Sequence, residues 1–292
     1  MHPLKVHIQE TLDKWAQEAE DSLTRLWEEP EGYLHIQVIT AKQAKVIQRL
    51  LGEDPSSKIH NSSDPSNPPQ YGFRILKGEG ASLYTSSTRH KLTTDIDTAD
   101  GAMRCLAERN GSALVQCWDG TLGWIDATEI TSEGSIEEWT ALKVPAVEKA
   151  LLSEREALIS RIIETARSYI GLPYVLGGRS NKRMDCSGLT SRVMRNEANC
   201  VLPRHSTDQR RCGERVTKAT MEMGDLLFAR LGNTNVPHVG VVSRDASGEF
   251  TVIHASQRAN AVIEESLEDF FTGYRFMGVR RFVPHDSAGD NQ

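Results

Sequence analysis

A short stretch in the C-terminal half of the chain places a cysteine at the start of a helix. A Gly-Gly turn at 177–178 and a polar loop lead into Asp-Cys-Ser-Gly at 185–188, and the apolar residues that follow are spaced for one face of a helix. Unpaired backbone N–H groups and the helix dipole stabilise negative charge at a helix N-terminus, which lowers the pKa of a thiol there. The stretch therefore predicts that Cys186 is a reactive thiol.

Two histidines downstream lie in apolar runs that are typical of strands. His238 begins His-Val-Gly-Val-Val, His254 lies in Phe-Thr-Val-Ile-His-Ala-Ser, and residues 244–248 between them are typical of a turn. A hairpin would bring both rings together, so that Cys186 has one histidine as a base and a second ring to orient that base. Taken singly, each residue also has a structural explanation, because a lone cysteine is usually a small buried side chain and a lone strand histidine is usually structural.

These residues belong to a series of short motifs spread over the C-terminal half. In chain order the motifs are Gly171–Tyr174, Gly177–Gly178, Asp185–Leu189, Leu202–Arg204, Gln209, Gly224–Phe228, His238–Val242 and Ile253–Ser256. Their types and order resemble the NlpC-type cell-wall cysteine peptidases, whose compact domain has a reduced papain-like α+β fold. The resemblance implies that Cys186 is the nucleophile, His238 the base and His254 the orienting third member. It also implies that Tyr174 lies beside the oxyanion site.

The resemblance extends to the subset of this family with bacterial SH3-like domains ahead of the peptidase, similar to dipeptidyl-peptidase VI and to γ-D-glutamyl-L-diamino acid endopeptidases. In this subset the residues matching Asp185 and Ser187 are implied to hold the free amine of an N-terminal L-alanine. The implied reaction is hydrolysis of the bond between γ-D-glutamate and diaminopimelate, or another diamino acid, in short free wall peptides. Such a reaction serves recycling or degradation of the wall.

Two further points concern this substrate site. His205 stands where these relatives usually have aspartate, and we assign it to the substrate site as well. Asp185 has a structural alternative, because an aspartate directly before a helix caps its N-terminus. Both roles of Asp185 can hold together.

Ahead of the catalytic domain the sequence predicts a small β-rich module over residues 71–131. Its short apolar runs are separated by Gly, Asn and Asp turns, most clearly Asn110-Gly111 and Asp119-Gly120. The closing run at 113–125 resembles the last hairpin of a bacterial SH3-like domain, which in related enzymes binds wall material or shapes the catalytic groove. The expected fold class is α+β, with an N-terminal helical segment and a small SH3-like β-barrel followed by a papain-like α+β catalytic domain.

The remaining segments complete the predicted domain organisation. An amphipathic helix from Ile8 to Trp27, a strand from Tyr33 to Ile39 and a helix from Ala41 to Leu51 form the N-terminal segment 1–51. Residues 52–70 are rich in Pro, Ser and Asp and are predicted as a linker or long loop. The other predicted boundaries are a connector at 132–152, the catalytic domain at 153–285 and a tail at 286–292.

Composition limits the partners that are expected. A formal net charge of −6 over 292 residues gives no reason to expect nucleic acid. The five cysteines show neither a CxxC pair nor zinc-ligand spacing, so no metal or other cofactor is expected. The start of the chain lacks the pattern of a secretory signal, and no apolar run reaches the roughly 18 residues of a membrane span, which predicts a cytoplasmic protein without membrane contact.

The expected partners are therefore peptides derived from peptidoglycan. Two alternatives to the peptidase stay open. One is a non-catalytic protein that binds wall fragments, and the other is an amidase or acyltransferase of the same superfamily. Loss of Cys186 or His238 would be the sequence signature of the first alternative, and both residues are present.

Overall fold

A computed structural model of the protein describes residues 8–12, 25–28, 34–38, 41–52, 54, 56–66, 69–89, 91–141, 152–232 and 237–283. By their contacts the residues group into two compact units. One unit is Met1–Thr93 with Asp97–Trp139, and the other is Thr94–Ile96 with Thr140–Gln292. No helix in the described part of the chain is long and apolar enough to cross a membrane.

The first unit begins with a small three-stranded sheet and two helices. These elements are α1 (residues 8–12), β1 (Arg25–Glu28), β2 (Leu34–Val38), α2 (Ala41–Leu51) and β3 (Ser57–Asn61). Strand β2 lies in the middle, antiparallel to β1 and parallel to β3. Alternate residues of β2 at 34, 36 and 38 are buried and pack with apolar residues of both helices, because successive strand side chains point to opposite faces.

The structure confirms β2 and α2 close to their predicted bounds and changes two other predictions. Arg25–Glu28 is a strand, whereas the sequence predicted helix as far as Trp27; residues 13–24 of that predicted helix lie outside the described residues. Strand β3 lies within 52–70, which was predicted as a linker or long loop. Composition misled here because β3 obtains its order from backbone pairing with β2 and from one apolar side chain, Ile59, packed on the core.

A seven-stranded sheet follows. Its strands are β4 (Phe73–Leu76), β5 (Gly80–Tyr84), β6 (Leu92–Asp97), β7 (Met103–Arg109), β8 (Ser112–Gln116), β9 (Leu122–Asp126) and β10 (Ile130–Gly134). Asn110 and Gly111 join β7 to β8 with φ angles of 50° and 75°, so the predicted Asn-Gly hairpin is confirmed. The sheet order is β10-β4-β7-β8-β9-β5-β6, so the described strands form an open sheet and do not show the closed barrel that the sequence predicted.

The connector predicted at 132–152 contains the end of β10 and helix α3 (Ile136–Ala141). Residues 142–151 of the connector and the predicted tail at 286–292 lie outside the described residues.

The second unit is an antiparallel sheet of six strands with helices on both faces. Its elements are α4 (Leu152–Ser168), β11 (Arg179–Ser180), β12 (Arg183–Met184), α5 (Cys186–Ala198), α6 (Ser206–Gln209), β13 (Glu214–Val216), β14 (Leu226–Leu231), β15 (Pro237–Arg244), β16 (Phe250–Ser256), β17 (Ala261–Ser266), α7 (Leu267–Gly273) and β18 (Tyr274–Arg281). The six strands lie in the order β13-β18-β14-β15-β16-β17. Helices α4 and α5 share one core with the sheet, and α7 belongs to a second core.

Two glycines allow the close approaches that place the catalytic elements. A Cβ on Gly188, in the first turn of α5, would lie 2.1 Å from the carbonyl oxygen of Gly178. A Cβ on Gly240, in β15, would lie 2.9 Å from Cβ of His254 on β16. Because real Cβ atoms do not approach so closely, glycine at these positions lets α5 sit against the 177–178 turn and lets β15 lie tight against His254.

We expect Gly188→Ala to lower the free energy of unfolding by about 3 kcal/mol, because the added methyl group meets backbone that cannot move without shifting the start of α5. Urea unfolding of the full chain measures this change. Gly78→Ala is the matched control, since no atom lies within 4 Å of a Cβ there. Equal stability of the two variants would contradict the close packing described at Gly188.

Candidate active site

Cys186 is the first residue of α5, as predicted, and its side chain is half-buried. Burial and, after it, the negative charge of Asp185 raise the pKa of the Cys186 thiol to about 12, although hydrogen bonds from the backbone of Val239 and Ser187 act in the opposite direction. The sequence predicted a lowered pKa from the helix N-terminus. That prediction is wrong in sign because the loss of water around the thiol outweighs the helix end.

His238 and His254 meet as the hairpin predicted. Nε2 of His238 on β15 lies 2.7 Å from Nδ1 of His254 on β16, and the two rings are perpendicular with centroids 4.9 Å apart. On the far side, Nε2 of His254 lies 2.8 Å from Oε1 of Glu265 on β17. Three neighbouring strands therefore supply a continuous line of hydrogen-bonding groups.

Aromatic rings enclose the two histidines. The ring of Tyr274 stacks on His238 with centroids 4.5 Å apart, and Phe270 meets His254 edge-on at 5.1 Å. Burial lowers the pKa of His238 well below 6.5, and the repulsion that its protonated ring would meet from a protonated His254 and from Arg258 lowers it further. Burial also lowers the pKa of His254, against the opposing effect of Glu265. The resting site is therefore a neutral thiol beside neutral imidazoles.

The Asp185 carboxylate accepts hydrogen bonds from both the backbone and a buried arginine. Its Oδ1 accepts from the backbone N–H of Gly188 at 2.7 Å and from Arg204 at 3.0 Å. Its Oδ2 accepts from the backbone N–H of Gly177 at 2.7 Å and from Arg204 at 2.8 Å. Asp185 and Arg204 thus form an ion pair in which both side chains are buried. These contacts support the helix-capping alternative, since each oxygen already accepts at least two hydrogen bonds and the charge of the carboxylate is compensated.

One cavity collects six of the seven residues that the sequence assigned to the site. It has a volume of about 360 Å³, and its walls include Tyr174, Asp185, Cys186, Ser187, His205 and His238. His254 stands behind His238 instead. The cavity is of the size usual for small-molecule sites, and it places the thiol and the base on a common surface.

The other cavity residues differ in what they offer a ligand. Burial raises the pKa of the Tyr174 phenol above its ordinary value, so the hydroxyl stays protonated at neutral pH and is able to donate. Ser187 is buried and hydrogen-bonds both Asp185, at 3.3 Å, and Arg204, at 3.0 Å. His205 is exposed, precedes α6 and makes no side-chain cap there.

Three residues of this constellation received no role from the sequence: Arg204, Glu265 and Tyr274. Arg204 stood in a recognised motif without an assigned partner, and Glu265 is one of two consecutive glutamates that look like the polar end of a strand. Their roles arise from pairing across strands and loops, which no local pattern encodes. In the described part of the chain no group of three or more His, Cys, Asp or Glu side chains could hold a metal ion.

Comparisons with known proteins identify the same region. Residues 171–281 match the model of the NlpC/P60 family. A probable endopeptidase of Haemophilus influenzae is 33% identical over 134 residues, which cover 46% of this chain and 80% of that protein. The murein DD-endopeptidase MepS/murein LD-carboxypeptidase of Escherichia coli K12 is 32% identical over 124 residues, which cover 42% of this chain and 63% of that protein.

A third relative, the γ-D-glutamyl-L-lysine dipeptidyl-peptidase of Bacillus cereus, is 31% identical over 127 residues, which cover 42% of this chain and 36% of that protein. The chain thus spans less than two thirds of the length of the second and third relatives. In all three the matched part is under half of this chain.

We expect acid to destabilise the protein between pH 6.5 and pH 5.5. Because the pKa values of His238 and His254 are lowered in the folded state, the unfolded chain takes up more protons below pH 6.5, and stability falls as pH falls. Each histidine contributes up to about 1.4 kcal/mol per pH unit. The measurement is urea unfolding at pH 7.5 and pH 5.5, with His238→Gln as the comparison. A variant with the same pH dependence as the wild type would contradict the burial of a neutral His238.

Proposed function

The chain belongs to the NlpC/P60 family of peptidases, and on that premise we propose that it is a cysteine endopeptidase of short cell-wall peptides. The bond that we propose it hydrolyses joins γ-D-glutamate to diaminopimelate or another diamino acid in free peptides headed by L-alanine. The observation that carries the proposal is the single cavity lined by Cys186 and His238, with His254 hydrogen-bonded behind the base. A relative named for hydrolysis at γ-D-glutamyl-L-lysine supports the choice of bond.

The proposed reaction proceeds through an acyl-enzyme. Sγ of Cys186 attacks the γ-carbonyl carbon of D-glutamate while His238 takes the thiol proton, and the tetrahedral intermediate collapses as His238 gives that proton to the leaving amine. Water then attacks the thioester with the same histidine as base, which releases the D-glutamyl product and restores the thiol. The Tyr174 hydroxyl and the backbone N–H of Cys186 donate to the oxyanion.

The neutral resting pair affects how this reaction begins. With a thiol pKa of about 12 and a His238 pKa well below 6.5, the thiolate–imidazolium pair is scarce before substrate binds. Proton transfer to His238 therefore accompanies attack on the carbonyl rather than preceding it. A base with a lowered pKa has the advantage that it is unprotonated throughout the neutral range.

For the β-rich part of the first unit we propose the SH3-like fold of the related subset. Support comes from the strand positions and from the Asn-Gly hairpin between β7 and β8. In the described structure β10 and β6 are the edges of an open sheet. An experimental structure of the full chain that keeps these two edges apart would contradict the SH3-like assignment.

Cys186→Ala should lower kcat/KM for L-Ala-γ-D-Glu-diaminopimelate by on the order of 10³-fold or more, because it removes the nucleophile and little volume. Mass spectrometry of the products with time measures the rate. Cys212→Ala is the matched control, since Cys212 is another half-buried free thiol and lies outside the cavity lining. Hydrolysis at the wild-type rate by a folded Cys186→Ala protein would rule out the cysteine mechanism.

The same assay decides between substrates. The free tripeptide, its N-acetylated form and intact cross-linked murein are offered to the wild-type protein under one set of conditions. Preference for the free tripeptide supports the proposal. A faster reaction on cross-linked murein would overturn the proposed substrate and favour the activity named for the Escherichia coli relative.

Asp185→Asn should lower the free energy of unfolding by about 3 kcal/mol, because the buried guanidinium of Arg204 loses its counter-charge. The ratio of kcat/KM for free and N-acetylated tripeptide should stay within about 2-fold of the wild-type ratio, since the carboxylate is already occupied by Arg204. Urea unfolding and the two substrates measure the two effects. A ratio that falls by about 10-fold at unchanged stability would instead assign the substrate amine to Asp185, as the resemblance implies.

A further inference from the structure

The hydrogen bond between the two histidines requires that one ring donates and the other accepts. Nε2 of His238 and Nδ1 of His254 are 2.7 Å apart, and a neutral imidazole carries a proton on only one of its two nitrogens. The neutral pair therefore has two possible arrangements, which place the protons on opposite edges of both rings. Only one of them leaves His238 with a lone pair on its other nitrogen, Nδ1.

Glu265 removes this ambiguity. Its Oε1 lies 2.8 Å from Nε2 of His254, and its pKa is lowered, first by that hydrogen bond, so the side chain is an ionised carboxylate at neutral pH. An ionised carboxylate only accepts hydrogen bonds, so Nε2 of His254 must carry the proton. The Nδ1 atom of His254 is then an acceptor, and Nε2 of His238 must donate to it.

The tautomer of His238 decides whether the ring can accept the proton of the Cys186 thiol. Because Nε2 of His238 is engaged by His254, Nδ1 is the ring nitrogen that remains for the cavity lined by Cys186. In the arrangement dictated by Glu265 this Nδ1 is unprotonated and able to accept the thiol proton. In the opposite arrangement it would carry a proton and could not act as a base.

We propose that Glu265 is a positioning residue that sets the tautomers of both histidines and thereby makes Nδ1 of His238 the base. The proposal rests on the proposed function, because it assigns the base of that reaction. Glu265 acts through His254 and His238 and is absent from the described lining of the cavity.

Arg258 stabilises the ionised form of the Glu265 carboxylate. Its guanidinium donates to Oε1 of Glu265 at 3.2 Å and to Oε2 at 3.3 Å, so it favours the charged carboxylate. It also makes a glutamine unsuitable at this position. In Glu265→Gln the side chain has one acceptor and one NH₂ donor in place of two acceptors, and either orientation leaves the NH₂ close to the guanidinium. The orientation that turns the NH₂ toward His254 selects the inactive tautomers, so the active arrangement is no longer dictated.

The neighbouring glutamate offers a control that is matched in type and place. Glu264 lies on the same strand, and its side chain is about as exposed as that of Glu265, at 19% against 15%. It hydrogen-bonds Arg167 and Thr251 and none of the site residues. We call the hydrogen-bonded series Glu265, His254 and His238 the relay. Glu264→Gln therefore makes the same chemical change one residue away from the relay.

The first measurement needs no substrate. Long-range ¹H–¹⁵N NMR of protein labelled with ¹⁵N-histidine reports which nitrogen of each ring is protonated. In the wild type at pH 7.5 we expect protons on Nε2 of His254 and Nε2 of His238, and in Glu265→Gln we expect both rings to shift toward the Nδ1-protonated form. A wild-type protein with a proton on Nδ1 of His238, or a folded Glu265→Gln protein with unchanged tautomers, would overturn the proposal.

The second measurement is steady-state kinetics on L-Ala-γ-D-Glu-diaminopimelate. Glu265→Gln should lower kcat by about 10²-fold with KM within about 2-fold, since general-base catalysis contributes about 10² to 10⁴ and the substrate surface is untouched. Glu265→Asp keeps a pure acceptor and should recover part of the loss, whereas Glu264→Gln should behave as wild type. A loss of kcat in Glu265→Gln with wild-type tautomers would overturn the relay in favour of a structural role.

The two readouts separate the two proposals. If the wild type hydrolyses none of the wall peptides but Glu265→Gln shifts the tautomers, the relay stands and the proposed substrate fails. If the wild type is active and the tautomers of Glu265→Gln stay unchanged, the proposed function stands and the relay fails. Melting curves of all four proteins establish that each variant is folded before it is scored.

Discussion

The buried ion pair between Asp185 and Arg204 is the interaction on which the rest of the site depends. It joins the residue before α5 to a loop 19 positions downstream, and the same carboxylate holds the backbone N–H groups of Gly177 and Gly188. Removing one partner of such a pair costs about 3–5 kcal/mol, because the other charge is left buried without compensation. The pair therefore acts as a brace for the start of α5, and through it for the position of Cys186.

Desolvation is the second physical constraint. The aromatic rings of Phe270 and Tyr274 and the strands around them remove water from the two histidines, so the neutral forms of thiol and imidazole are favoured. The thiolate–imidazolium pair is disfavoured in such a resting site. Under the proposed mechanism the tautomer of His238 therefore matters more than its charge, because the neutral ring must accept the thiol proton on the nitrogen that faces the cavity.

The six-stranded sheet positions the hydrogen-bonding groups of the site. His238, His254 and Glu265 lie on three consecutive antiparallel strands, β15, β16 and β17, whose spacing brings side chains on one face within hydrogen-bonding distance. Gly240 allows the close contact of β15 with His254. The sheet thus holds His238, His254 and Glu265 in one hydrogen-bonded line. The start of α5 supplies Cys186 to the cavity that His238 lines.

The sequence by itself determined the catalytic candidates and most of the elements that carry them. Cys186 follows a Gly-Gly turn and precedes an apolar helical face, and His238 and His254 lie in strand-like runs around a turn, so each position is encoded by its neighbours along the chain. Local patterns of this kind are informative because the spacing of apolar residues and the choice of turn residues follow directly from the local backbone conformation. The same patterns gave β2, α2 and the β7–β8 hairpin, and they failed for β3, whose order comes from a partner strand.

Only the tertiary structure decided the electrostatics and the partners. The sign of the pKa shift at Cys186 depends on how much water the folded chain excludes, and the role of Asp185 depends on Arg204 arriving from another loop. Glu265 became part of the site because β17 pairs with β16. These properties depend on distances between residues far apart in the chain, and burial and charge compensation exist only once those distances are set.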